Sequence, residues 1–133
     1  MATARITYLG NLRTSCEHLA SGTKIITDAP VDNHGKGEAF SPTDLVATSL
    51  ASCMMTIMGI YCQEHGISFD SCEATIEKIM GSGPRRISKI VVHMDLSGNA
   101  WEEEIRKKVI MAGRACPVAK TLEGNVEFEF NYI

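Results

Sequence analysis

The feature that most constrains this chain is a long stretch with no charged side chain, which lies inside residues 41–66 (SPTDLVATSLASCMMTIMGIYCQEHG). Ser41, Pro42 and Asp44 form a helix start signal, with an N-cap, a first-turn proline and a capping-box acid. Gly66 is the residue predicted to end this helix. Residues 45–62 carry no charge, and their apolar side chains fall on nearly every face of the predicted helix. A helix of this kind must be covered on all sides.

Two arrangements could provide that cover. The run is long enough to approach a membrane span. However, small and hydroxyl residues interrupt it, and neither a basic cluster nor an aromatic belt flanks it. A buried core helix is therefore the preferred interpretation. One sheet and one amphipathic helix would not enclose it, so we expect an intimate homodimer to complete the cover. The interrupting residues are Thr48, Ser49, Ser52, Thr56 and Gly59.

Composition narrows the function classes. The chain has 133 residues, 44% of them hydrophobic and 22% charged, which is typical of one globular domain spanning residues 1–133. With a net charge of −3, the chain lacks the excess of basic residues expected of a protein that binds nucleic acid or an anionic membrane. The first ten residues lack the apolar run of a secretory signal. The five cysteines are odd in number and include no C-x-x-C pair, so a reduced, cytoplasmic protein with free thiols is expected.

The remaining pattern predicts an α+β fold with the order βββ-α-ββ-α-α-β. A mainly antiparallel sheet is expected to pack against the long central helix. Asn99 is predicted to cap the second helix, and the two strands that follow the central helix are predicted to form a hairpin. The predicted strands are residues 5–9, 12–19, 23–28, 67–80, 87–96 and 125–133, and the later helices are 100–115 and 118–122.

Two of the cysteines occupy informative positions. Cys53 lies in the middle of the central helix. Cys116 is the last residue of the apolar stripe that the second predicted helix turns toward the core, and it directly precedes Pro117. Its sulfur can therefore face the free amide groups at the start of the following helix, a location that lowers the pKa of a thiol. Cys62 points to the opposite side of the helix from Cys53. The alternative for each of these cysteines is a small buried hydrophobic residue, and spacing alone favours that alternative.

The motifs around these cysteines have a definite spacing. Residues 41–45 read S-P-T-D-L, and Cys53 follows Pro42 by eleven positions. Cys116-Pro-Val follows 63 positions after Cys53. This pattern resembles that of the OsmC/Ohr family, the osmotically inducible and organic-hydroperoxide-resistance proteins. The resemblance spans essentially the whole chain, including the order of its elements.

The resemblance implies a thiol peroxidase built as an intertwined homodimer. Cys53 would be the reactive cysteine and Cys116 the resolving one, reset by an external dithiol or thiol-protein reductant, with no metal or organic cofactor. A buried thiolate needs a nearby cation to stay ionised. In the family this cation is an arginine from the N-terminal strands. Arg13 is the best positional match, Arg5 is the second choice, and Arg114 is another possible source of positive charge.

One position departs from the hydroperoxide-resistance branch. That branch has a glutamate after the helix-opening proline, where it holds the arginine, and this chain has Thr43. Asp44 is adjacent but is expected to serve the capping box, and Glu38 lies in a loop. The chain therefore resembles the broader OsmC-like branch. Reduction of organic hydroperoxides in oxidative-stress defence is the first expectation. A redox-sensing or small-ligand-binding dimer with little turnover is the alternative, and a purely structural dimer is the third possibility.

Overall fold

The computed structural model describes residues 1–133, which form two compact units, Met1–Val46 and Ala47–Ile133. The order of elements is βββ-α-ββ-α-α-β, as predicted, and the α+β class is confirmed. The strands belong to two separate three-stranded sheets rather than one. The assignment of residues 1–133 to a single domain stays a prediction.

The first unit is an antiparallel meander. β1 (Ala4–Gly10), β2 (Arg13–His18) and β3 (Lys24–Asp28) pair in sequence order. The side chains of Ile6 and Ile25 flank Cys16 on one face, because the register places the three residues side by side. Arg13 and Asp28 are directly paired on the opposite face. A short 3-10 turn, Val31–Asn33, lies in the predicted loop that follows.

The central helix α1 (Pro42–Glu64) begins where the sequence predicted. The Asp44 N–H donates to Ser41 Oγ at 3.0 Å, and the Ser41 N–H donates to Asp44 Oδ2 at 3.0 Å. This reciprocal pair is a complete capping box, which satisfies two of the otherwise unpaired groups at the helix start.

The core of the second unit lies against one side of α1. Ala47, Leu50, Met54 and Met58 are fully buried there. The opposite side, which carries residues 52, 56, 60 and 63, is exposed. Within one chain the helix is therefore covered on one side only, not all round. By length and composition α1 is apolar enough to cross a membrane, a property that core helices of soluble proteins share.

The second sheet combines a hairpin with a crossover strand. β4 (Glu73–Gly81) and β5 (Arg86–Asp95) are antiparallel, as predicted, although β4 begins six residues later than expected. β6 (Glu127–Tyr132) pairs with β5 in parallel. A parallel neighbour requires a crossover connection. Here the crossover consists of α2 (Glu103–Arg114) and α3 (Pro117–Leu122).

The predicted helix cap at Asn99 is wrong. α2 starts at Glu103, and its N-cap residue Glu102 makes no side-chain capping bond. The Asn99 side chain instead holds the segment before β4. Its amide donates to the carbonyls of Ser71 (2.7 Å) and Leu96 (3.0 Å). Its oxygen accepts from the N–H groups of Asp70 (2.7 Å) and Ser71 (3.3 Å). All four hydrogen-bonding positions of the amide are used.

Candidate active site

Close packing of α2 on α1 brings the two informative cysteines together. A Cβ added at Gly113 would lie 2.6 Å from Met58 Cε and 3.3 Å from the Met54 carbonyl oxygen, so only glycine allows this approach. Cys53 precedes Met54 on α1, and Cys116 follows Gly113 by three positions. The lack of a side chain at Gly113 therefore determines how near the end of α2 lies to Cys53.

Cys53 and Cys116 contact each other but differ in exposure. Cys53 is half-buried, whereas Cys116 has no exposed surface. Cys116 is the N-cap of α3, where its sulfur accepts a hydrogen bond from the Ala119 N–H at 3.4 Å. Its side chain is also within hydrogen-bonding reach of the Cys53 side chain. The sequence placed both cysteines correctly on their elements.

The expected lowering of the Cys116 pKa is wrong in its net direction. Burial raises the pKa of Cys116 most, and the hydrogen bond and charge of Cys53 raise it further. The N–H groups of Ala119 and Val118 oppose these effects without overcoming them. The amide contacts were correctly anticipated, but the depth at which the thiol is buried was not. Cys116 is consequently held as a neutral thiol against the sulfur of Cys53.

Arg114 lies near aromatic residues of the same unit. Its guanidinium carbon is 4.6 Å from the centre of the Phe130 ring, a cation–π contact. Burial raises the pKa of Tyr132, and the charge of Arg114 lowers it. These contacts place the charge of Arg114 at the β6 aromatics.

Arg13 is held between two carboxylates of the first unit. Its Nη2 contacts Asp28 Oδ2 at 3.3 Å and also bonds to a carboxylate oxygen of Glu38. The hydrogen bond and charge of Asp28 are the main reasons that the pKa of Arg13 is raised. By contrast, Arg5 has only an exposed pair with Glu17 at 3.5 Å. Of the two N-terminal arginines, Arg13 is therefore the one whose side chain is held by more than one carboxylate.

The sequence did not identify Asp28. Asp28 ends β3 directly opposite Arg13, so the signal was present, but it could be read only once the strand register was known. Thr43 contacts Ser41 Oγ at 3.1 Å, and Asp44 serves the capping box as expected. Glu38, which lies in the predicted loop ahead of α1, forms an ion pair with Arg13.

The remaining cysteines are separate from this pair. Cys16 lies on β2, where its sulfur is 3.7 Å from Thr14 Oγ1. Burial raises the pKa of Cys62. Burial also raises the pKa of Cys72, with a smaller effect from the charge of Asp95. No group of three or more His, Cys, Asp or Glu side chains has the arrangement of a metal site.

A family model described as OsmC-like protein matches residues 35–131, the segment that contains α1, both cysteines and the whole second sheet. This chain belongs to the OsmC-like family. No curated protein matches the chain.

Solved structures agree with the family assignment. An osmotic-stress-induced and detoxification response protein from Psychrobacter arcticus is 44% identical, with a TM-score of 0.93, and the match covers 100% of this chain and 96% of that one. The organic hydroperoxide resistance protein OsmC of Legionella pneumophila is 18% identical, with a TM-score of 0.76 and coverage of 99% and 97%. OhrB of Bacillus subtilis is also 18% identical, with a TM-score of 0.71 and coverage of 99% and 98%. At this identity, the last two show the fold alone.

Proposed function

We propose that the protein is a cytoplasmic, homodimeric thiol peroxidase that reduces organic hydroperoxides to alcohols through Cys53 and Cys116. The observation that carries the proposal is the contact between a half-buried thiol and a fully buried one on different elements. Membership in the OsmC-like family supports the same chemistry. No metal or organic cofactor takes part.

The electrons of the reaction pass from an external dithiol through the two sulfurs to the hydroperoxide. The Cys53 thiolate attacks the terminal oxygen of the hydroperoxide, the O–O bond breaks, and the alkoxide leaves as the alcohol after taking a proton. Cys53 is then a sulfenic acid. The Cys116 thiol condenses with it, water leaves, and a disulfide forms. The dithiol reduces this disulfide by thiol–disulfide exchange and is itself oxidised to a disulfide.

The difference in exposure supports the proposed division of roles between the two cysteines. A hydroperoxide must reach the attacking sulfur, and Cys53 is the one with accessible surface. Cys116 is buried and keeps its proton, so it is a poor first nucleophile. Its contact with Cys53 nevertheless places it where a sulfenic acid would form. Rapid condensation there protects Cys53 from oxidation to the irreversible sulfinic state.

Arg13 is the proposed cation for the Cys53 thiolate, an assignment that rests on the family resemblance. Its two carboxylate contacts both use Nη2. The N–H groups on Nε and Nη1 are not needed for this pairing and suit an anionic sulfur or oxygen.

Two exposed apolar surfaces support the homodimer. On the first sheet, Ile6 is 62% exposed, Tyr8 is 65% exposed and Ile25 is 47% exposed. On α1, the side away from the core is open and carries Ile60. Surfaces of this kind usually mark an interface. A second copy of the chain would cover both of them.

The alternative is a redox-sensing or small-ligand-binding dimer with little turnover, which Thr43 in place of the branch glutamate favours. A third reading keeps the cysteines for packing only. Steady-state consumption of cumene hydroperoxide with dithiothreitol separates these functions. We expect many turnovers per subunit for the parent, loss of activity in Cys53→Ser, and near-parental turnover in Cys72→Ser, a half-buried cysteine outside the pair. A single turnover would support the redox-sensing function, and the absence of any reaction would support cysteines that serve only in packing.

Mass spectrometry after one equivalent of peroxide tests the thiol pair directly. The parent should contain a Cys53–Cys116 disulfide. Cys116→Ser should instead accumulate sulfenic or sulfinic acid at Cys53. Equal peroxide reactivity of Cys53→Ser and the parent would show that another group attacks the peroxide.

A further inference from the structure

The two carboxylates that hold Arg13 differ in burial. The Asp28 side chain is 1% exposed, whereas the Glu38 side chain is 62% exposed. An exposed ion pair contributes little and is screened by salt. A buried carboxylate loses its hydration and depends on the groups that remain around it. The two acids therefore have unequal influence on where the Arg13 guanidinium points.

Asp28 is itself fixed from several sides. It pairs with Arg13 across β2 and β3. Its Oδ2 accepts the Glu38 N–H at 3.0 Å in addition to the Arg13 contact, and its own N–H donates to the Phe40 carbonyl at 3.0 Å. The pKa of Asp28 is lowered, chiefly by the Glu38 amide and then by Arg13, against the opposing effect of burial. The charged carboxylate thus joins β3 to the loop ahead of α1 through these hydrogen bonds.

The same carboxylate has one unsatisfied atom. Asp28 Oδ1 is buried and has no hydrogen-bond partner of good geometry in the chain, although the adjacent Ala29 N–H helps to lower the pKa of the carboxylate. A buried acceptor left unpaired costs free energy, and a position with no role beyond packing would avoid that cost with a neutral side chain. Asp28 carries this cost at the position directly paired with Arg13, which indicates a role beyond packing.

We propose that Asp28, rather than Glu38, is the positioning residue that holds the Arg13 guanidinium ready for the thiol chemistry at Cys53. The proposal rests on the proposed function, in which Arg13 supplies the cation. It also answers what replaces the missing glutamate at Thr43. The carboxylate comes from the end of β3 and not from the start of α1.

Positioning and charge predict opposite results for the same substitution. If the acids acted on Cys53 only through their charge, removing either one would increase the positive potential of Arg13 and favour the thiolate. If Asp28 acts by orienting Arg13, its neutralisation lets the guanidinium leave the productive position, and the thiolate becomes harder to form. The direction of the change in Asp28→Asn therefore separates the two explanations.

The first experiment measures the Arg13 side chain by itself. In the full-length protein, the Arg13 Nε–H signal should be sharp and slow to exchange in nuclear magnetic resonance spectra. Asp28→Asn should broaden or abolish it, Asp28→Glu should restore it at least in part, and Glu38→Gln should change it less than Asp28→Asn does. Amide spectra of each variant confirm folding. A mobile Arg13 in the parent, or a larger effect from Glu38→Gln, overturns the positioning role of Asp28 without touching the peroxide chemistry.

The second experiment follows alkylation of Cys53 by iodoacetamide against pH, read by mass spectrometry. Arg13→Ala and Asp28→Asn should both move the midpoint of the profile upward. A shift of about one unit corresponds to roughly tenfold slower alkylation below the midpoint. The double variant should match Arg13→Ala, because Asp28 acts through Arg13. Arg5→Ala, which removes an exposed N-terminal arginine, is the matched control.

Three results would overturn the proposal, and they have different meanings. A downward shift in Asp28→Asn would show that its charge, and not its orientation of Arg13, matters. Full additivity in the double variant would show that Asp28 acts independently of Arg13. An unchanged alkylation midpoint in Arg13→Ala would show that neither Arg13 nor Asp28 acts on the Cys53 thiol. Peroxide turnover through Cys53 would be compatible with that result.

Discussion

At the scale of single residues, Gly113 determines how closely α2 approaches α1. A methyl group there would contact Met58 and the Met54 carbonyl at distances that require them to move. We expect Gly113→Ala to destabilise the protein by about 1–3 kcal/mol, the usual cost of overpacking a core, despite the better helix propensity of alanine. Chemical denaturation measures this change.

The matched control for Gly113→Ala is Lys108→Ala on the exposed side of the same helix, which should change the free energy of unfolding by less than about 0.5 kcal/mol. Slower disulfide formation after peroxide treatment should accompany the loss of stability in Gly113→Ala, because Cys116 would move away from Cys53. Unchanged stability in Gly113→Ala would mean that the helices can separate there freely.

Residues whose signals are local were predictable from the sequence. The capping box of Ser41 and Asp44 follows from spacing within one turn, and the placement of the two cysteines follows from helix boundaries. Asp28 was missed because its partner is fixed by the register of two strands, which no short window contains. The pKa of Cys116 was misjudged for a related reason, since burial depends on the whole core rather than on the adjacent proline.

At the scale of elements, Asn99 links the start of the β4 segment to the turn after β5. Its side chain makes four hydrogen bonds to backbone groups. With a net contribution of roughly 0.5–1.5 kcal/mol per bond, Asn99→Ala should cost about 2 kcal/mol or more. Thermal and denaturant unfolding measure this, and hydrogen exchange should speed up at residues 70 and 71.

Asn125, an exposed asparagine in the turn before β6, is the control, and Asn125→Ala should leave stability nearly unchanged. Equal costs for the two substitutions would contradict a special role for Asn99. The sequence pattern predicts a helix cap at Asn99 because asparagine is favoured at caps, but asparagine is also favoured in turns. Only the fold shows that its partners come from a segment 28 and 29 positions earlier.

At the scale of the whole molecule, the exposed face of the first sheet gives a test of the proposed dimer. The parent should have twice the chain mass of 14.5 kDa in light scattering. Ile6→Lys places a charge among Ile25, Tyr8 and Cys16 and should shift the protein toward monomer, because an apolar interface does not accommodate an unpaired ammonium group.

Thr7→Lys adds the same charge to the opposite face of β1 and serves as the control, which should remain dimeric. If the parent is monomeric at micromolar concentration, the exposed surfaces need another explanation. If both variants remain dimeric, the interface lies elsewhere.

The contact between Cys53 and Cys116 joins points 63 positions apart in the chain, so its oxidation would tie a large part of the protein into a closed ring. A covalent ring of that size limits the disorder available on denaturation and is worth about 4 kcal/mol in the chain-entropy description. The peroxide-treated parent should therefore melt roughly 10 °C or more above the dithiothreitol-treated parent, whereas Cys116→Ser should melt alike under both treatments. Heat resistance would then serve as a readable record of exposure to oxidant, carried by the protein until a reductant erases it.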